Sequence, residues 1–146
     1  WIQLSLDIGA YVDDSGAAME DSYGVRVSLA DGTTNSDTGY GFTLGTGDKR
    51  WSHLRAYKSS TAYGDQLGAA YFNQPEDGDV YPLLLKITRT ASDFRIESSF
   101  GGAPFQTVSD SAASGKFNLL TVTVAGKDYA CDIDNVKITS NVAEVE

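Results

Sequence analysis

The amino-acid sequence predicts an all-β domain folded as a two-sheet antiparallel β-sandwich. Three observations predict this fold: apolar and polar residues alternate along many short segments, turn-forming residues separate the segments, and no stretch of helical length carries an apolar stripe. Alternation with a period of two places every second side chain on the same face of a strand. About ten such segments within 146 residues are typical of a sandwich.

The alternating segments are distributed along the whole chain, and turn signals such as Gly101-Gly102 lie between them. We expect Leu4, Val27, Leu85 and Val122 to lie on inward faces, because each belongs to the apolar set of its segment. The clearest segments are 2–8, 23–29, 40–44, 83–87, 94–96, 117–124 and 129–138.

The last segment predicts an irregularity. Its apolar residues Cys131 and Ile133 have odd numbers, whereas Val136 and Ile138 have even numbers. A regular strand cannot place both sets on one face, because a shift of one residue reverses every side chain. A β-bulge at Asp134-Asn135 would reconcile them.

Composition and charge restrict the possible functions. The net charge of -9 repels phosphate backbones and anionic lipids, so nucleic acid and membrane surfaces are disfavoured as partners, and a neutral polysaccharide is compatible. No apolar run approaches the ~20 residues that span a bilayer, so no membrane insertion is expected. Cys131 is the only cysteine, which excludes an intrachain disulfide and a cysteine-based zinc site.

A single domain is predicted over residues 1–140, followed by an acidic linker stub at 141–146. The chain opens with a strand pattern at Trp1 and has no apolar leader segment. We therefore expect a piece of a larger secreted or cell-surface protein, with neighbouring domains among its partners.

The second half of the chain carries three patterns of a known kind: alternating leucines in 81–90, a glycine hairpin with aromatic residues in 100–105, and Asp134-Asn135-Val136-Lys137-Ile138 near the end. Together they resemble the concanavalin A-like jelly roll, the group of lectin, glucanase and laminin-G-like domains. The resemblance covers residues 81–139. It implies a jelly-roll sandwich, and it indicates the fold better than the function.

Calcium is the metal that the residues favour. In the resembling jelly rolls a structural calcium often ties an N-terminal loop to the last strand, and the Asp of the final motif is a ligand. The resemblance therefore implies Asp134 as a ligand. Hard-cation chemistry adds Asp13, Asp14 and Asp21 as candidates, because calcium prefers carboxylate oxygens. Solvated turn carboxylates are the alternative interpretation.

No residue set indicates a reaction. The resembling glucanases carry Glu-x-Asp-x-x-Glu on one strand, whereas Glu97 stands alone on its segment here. His53 is the only histidine, so a nucleophile–base pair has no visible partner. A polysaccharide-degrading enzyme would have to use His53, Arg55 and Tyr57, and we rank it last.

Sugar binding rests on aromatic residues in the stretch 48–73. A pyranose ring stacks its C–H face on Trp or Tyr, while its hydroxyls bind polar side chains. Residues of equal parity on one strand share a face, so 51, 53, 55 and 57 are expected together. Alternatively, Trp51 is a core tryptophan and the tyrosines lie at strand edges. The candidate ligand-binding residues are Trp51, His53, Arg55, Tyr57, Tyr63 and Tyr71.

Two functional hypotheses rank above the enzyme. The first hypothesis is a non-catalytic, lectin-like accessory domain that binds a polysaccharide or glycan. The second is a structural or adhesive module without sugar binding, which would present an apolar patch or an unpaired edge strand to its partner.

Overall fold

A computed structural model of the chain confirms the two-sheet all-β prediction. It describes residues 1–11, 24–32, 38–45, 51–57, 65–71, 80–101, 103–111, 115–125 and 130–141. The strands are β1 (Ile2–Tyr11), β2 (Gly24–Ala30), β3 (Gly39–Gly45), β4 (Trp51–Tyr57), β5 (Gln66–Tyr71), β6 (Val80–Arg89), β7 (Phe94–Phe100), β8 (Ala103–Asp110), β9 (Leu119–Ala125) and β10 (Ala130–Ser140). Within these ranges no helix is long and apolar enough to cross a bilayer.

The strands form two five-stranded antiparallel sheets. The first sheet has the order β10-β1-β6-β7-β8, and the second sheet has the order β5-β4-β3-β2-β9. Both ends of the chain therefore meet in the first sheet, where β1 lies between β10 and β6. The sheets pack face to face, so each strand has a core face and an outer face.

The core lies between the sheets and is built from alternate residues of each strand. Burying one large apolar side chain contributes about 1.5–3 kcal/mol, so this set dominates the stability of the domain. Leu4, Val27 and Leu85, which the sequence placed inward, are buried. The core cluster is Leu4, Leu6, Ile8, Val25, Val27, Leu29, Tyr40, Phe42, Leu83, Leu85, Ile87, Phe94, Ile96 and Phe100.

Aromatic contacts connect the two sheets. Phe42 of β3 stacks on Phe100 of β7 with the ring centroids 6.0 Å apart. Tyr40, also on β3, contacts Phe94 at 5.8 Å and donates its hydroxyl proton to Asp110 Oδ2 at 2.9 Å. Since Asp110 ends β8, this hydrogen bond ties the second sheet to the edge of the first.

The bulge predicted in the last strand is confirmed. Ser5 pairs with Lys137 and Asp7 with Asp134, so two residue steps on β1 match three on β10. Asn135 takes up the additional step with a φ of 51°, a left-handed conformation that Asn adopts more readily than most residues. Ile133 and Ile138 consequently share the core face.

One inward assignment needs a correction. Val122 pairs with buried Val27 and so occupies a core-face position, yet its side chain is 37% exposed. Val136 and Ile138 on β10 are also about half exposed. The reason is topological, because β9 and β10 are edge strands, and each has a neighbouring strand on one side only.

Candidate functional site

The candidate site is the outer face of the second sheet. Tyr40 and Phe42 are completely buried in the core, so Gly41 and Thr43, which alternate with them, occupy the opposite face. Arg55 pairs with Gly41 and His53 with Thr43 across the β3–β4 ladder. Residues directly opposite in an antiparallel pair share a face. The backbone register therefore places the odd-numbered positions of β4 on the outer face.

The neighbouring strand β5 brings two predicted aromatic residues together. Trp51 is the direct cross-strand partner of Tyr71. The ladder shifts by one residue between Leu54 and Arg55, and this irregularity places Gln66 opposite Arg55. The structure describes the backbone of these positions, and their placement on one face follows from register. Tyr63 lies outside the described residues.

The same register answers a question that the sequence leaves open. The even-numbered residues of β4 are less apolar as a set than a core face should be, but positions 54 and 56 pair with Phe42 and Tyr40. These two aromatic side chains of β3 fill the space between the sheets. Positions 54 and 56 therefore lie on the core face of the sheet.

The outer face continues onto β2 with polar residues that the sequence analysis did not single out. Arg26 pairs with Thr43 on one side and with Thr123 on the other, and Ser28 pairs with Gly41 and Thr121. Arg26 is only 7% exposed and Ser28 is 2% exposed, so this central part of the face is closed to bulk solvent. No local sequence pattern distinguishes Arg26 from an ordinary solvated strand residue. Its burial becomes visible only when β3 and β9 are placed on either side of it.

Asp134, the calcium ligand that the resemblance implies, lies at the bulge of β10. Its Oδ1 accepts a hydrogen bond of 2.7 Å from the Asn135 backbone N–H, and Asn135 Nδ2 donates to Asp7 Oδ2, also at 2.7 Å. Asp7 was not among the predicted ligands. No group of three or more metal-binding side chains occurs in the part of the chain that the structure describes. The other three candidates, Asp13, Asp14 and Asp21, lie outside it.

Glu97 does not form a glycosidase pair with the acidic residues of β10. Its carboxylate accepts a hydrogen bond of 2.8 Å from Arg95 on the outer face of the first sheet. Strands β1 and β6 lie between β7 and β10. Three strand spacings alone place Glu97 at least roughly 14 Å from Asp134, whereas glycosidase carboxyl groups lie about 5–9.5 Å apart.

Comparison with solved structures shows what this fold is similar to. Sheep galectin-11 in complex with glycerol matches with a TM-score of 0.53 and 10% sequence identity, over 94% of this chain and 89% of the galectin. Congerin II liganded with lactose and MES gives 0.51 at 14% identity, over 94% and 90% of the two chains. Ligand-free congerin I gives 0.51 at 11% identity with the same coverage. The chain therefore has the concanavalin A-like jelly-roll fold of lectins.

Sequence comparisons add nothing to the structural likeness. No family model matches the chain, and no curated protein matches it.

Proposed function

We propose that the protein is a non-catalytic, lectin-like domain that binds a glycan on the outer face of the second sheet, at strands β4 and β5. The observation that carries this proposal is the register of β4, which gathers Trp51, His53 and Arg55 on one face beside Tyr71 and Gln66. Fold alone does not determine function, so the likeness to galectins supports the proposal only in a secondary way. One of the similar structures, congerin II, is liganded with lactose.

The chemistry of this face suits a sugar ring. The adjacent aromatic positions 51 and 71 offer a surface for the apolar C–H face of a pyranose. Arg55 and Gln66 supply donors and an acceptor for hydroxyl groups. The net charge of -9 disfavours strongly anionic glycans, so a neutral glycan is the expected ligand. One or two stacked rings and a few hydrated contacts correspond to micromolar-to-millimolar affinity, on the order of 4–8 kcal/mol.

Isothermal titration calorimetry against a panel of neutral glycans tests the proposal. For the best ligand, Arg55→Ala is expected to weaken binding by about 10- to 100-fold, because a hydrogen bond to a charged group contributes about 1.5–3 kcal/mol. Arg95→Ala is the matched control, since Arg95 is an exposed arginine on the outer face of the other sheet. Absence of binding to every glycan, or an equal loss of affinity in both variants, would contradict the proposal.

The setting of the domain belongs to the same proposal. A secreted or cell-surface location and neighbouring domains in a longer chain would suit a module that brings its parent protein to a glycan. Detection of the protein by a specific antibody in culture medium or on intact cells would test the location.

A structural or adhesive module is the second candidate, and one observation favours it. Val122, Val136 and Ile138 are 37%, 49% and 48% exposed along the edge strands β9 and β10. An exposed apolar edge is a template for another strand. A protein that binds no glycan but self-associates in sedimentation experiments, with Ile138→Lys abolishing the association, would favour this alternative.

A further inference from the structure

A groove of about 330 Å³ lies on the outer face of the first sheet, on the side of the sandwich opposite the glycan face proposed above. It crosses β10, β1, β6 and β7. This volume is at the lower end of the range of about 300–1,000 Å³ that is typical of small-molecule sites. The outer-face residues that line it are Ser5, Asp7, Pro82, Leu84, Ser99 and Asn135.

Two ladder irregularities bound the groove. The β1–β10 register shifts between Ser5 and Asp7, and the β7–β8 register shifts between Ser98 and Ser99. Bulges bend a strand and increase its local twist, and they are frequent beside binding sites. Asn135 holds a left-handed backbone at the first irregularity. The sheet is therefore distorted on both sides of the same short stretch of β6.

The lining has an apolar floor and polar sides. Leu84 lies at the centre and pairs with Ser5 on one side and with Ser99 on the other. Two strand spacings separate these two serines by about 10 Å. Pro82, the next outer-face residue of β6, pairs with Asp7. A flat ring over Leu84 and Pro82 would thus have hydroxyl groups at both sides and a carboxylate at one end.

The charges around the groove favour a neutral ligand. Lys137 pairs with Ser5 beside the acidic residues Asp7 and Asp134. Further along the same face the Arg95 guanidinium is matched by the Glu97 carboxylate at 2.8 Å. A cation or an anion would therefore meet both signs of charge. Asn135 lines the groove, and its amide, which donates to Asp7 through Nδ2, also carries an acceptor oxygen.

From this arrangement we propose that the groove is a second binding site, which takes a single neutral pyranose ring. The ring lies with its C–H face on Leu84 and Pro82, and its hydroxyl groups exchange hydrogen bonds with Ser5, Ser99 and Asp7. This site is separate from the glycan face of the second sheet. One molecule could then hold two sugar chains on opposite sides of the sandwich.

Nuclear magnetic resonance with ¹⁵N-labelled full-length protein tests this proposal. The probes are the methyl glycosides of glucose, galactose and mannose. Each is titrated to saturation or into the millimolar concentration range, in which single rings bind. At least one of them is expected to shift the backbone amides of Ser5, Leu84 and Ser99. If none of the three sugars shifts these amides, the proposal is wrong, whatever happens at Thr43 and Arg55 on the other face.

Variants separate the two sites. Leu84→Lys places a charge on the floor and is expected to abolish these shifts, whereas Thr107→Lys, an exposed position on the same face outside the groove, is expected to leave them unchanged. Ser99→Ala removes one hydroxyl with little change in volume and is expected to weaken binding about tenfold. This variant tests the groove on its own if Leu84→Lys does not fold. Undiminished binding in Ser99→Ala or in a folded Leu84→Lys protein, or an equal loss in Thr107→Lys, would overturn the assignment. Arg55→Ala is expected to leave the groove shifts intact even if the glycan face loses its ligand.

Discussion

Removing the Tyr40 hydroxyl should measure how strongly the two sheets are tied together. Tyr40→Phe keeps the buried ring and its contact with Phe94 at 5.8 Å, but it deletes the hydrogen bond of 2.9 Å to Asp110 Oδ2. A hydrogen bond to a charged group contributes about 1.5–3 kcal/mol. Tyr40 is completely buried, whereas Asp110 is partly exposed and can be rehydrated, so the lower part of that range applies.

We therefore expect Tyr40→Phe to lower the free energy of unfolding by about 1–2 kcal/mol and the melting temperature by roughly 3–6 °C. Urea denaturation followed by circular dichroism measures the first quantity, and calorimetry measures the second. Asp110→Asn is the matched variant, since it retains an acceptor oxygen and should cost less. A Tyr40→Phe protein as stable as the parent would refute the tie between β3 and β8.

Three further predictions concern the bulge, the acidic residues beside it and the approach of the two sheets. Asn135→Gly should be tolerated better than Asn135→Val by about 1–2 kcal/mol in urea denaturation, because a β-branched residue is strained at a φ of 51°; equal stabilities would mean that the left-handed conformation is wrong. If calcium binds at Asp134, added calcium should raise the melting temperature of the parent protein and not of Asp134→Asn, and an unchanged melting temperature in the parent would end the calcium hypothesis. Gly68→Ala should destabilise the domain by about 1 kcal/mol, because the new Cβ would lie 2.8 Å from Gln106 Nε2. Adding Gln106→Ala should recover the lost stability. If the double variant shows no recovery, this contact is not the cause.

Sequence periodicity predicts the fold where each strand carries its own pattern. The change of parity between Ile133 and Ile138 predicts the bulge because a strand has only two faces, and the structure has the bulge at Asn135. Burial at an edge cannot be predicted in this way. Val122 has the correct parity but is 37% exposed, because exposure depends on which strands neighbour it in the sheet.

The candidate site could likewise be predicted only in part from the sequence. Parity within β4 predicts that Trp51, His53 and Arg55 share a face, but the sequence does not tell which face it is. The buried Phe42 and Tyr40 settle that point through the β3–β4 register. Neighbours from distant segments, such as Thr43 opposite His53 or Ser99 two strands from Ser5, emerge only when the strands are assembled.

The fluorescence of Trp51 tests the glycan-binding face most directly. The chain has two tryptophans, so Trp1→Phe leaves Trp51 as the only reporter. We predict that acrylamide quenches its emission in the free protein and that a bound neutral glycan reduces the quenching and shifts the emission maximum. Emission typical of a buried tryptophan that acrylamide does not reach, and that no glycan changes, would contradict the account.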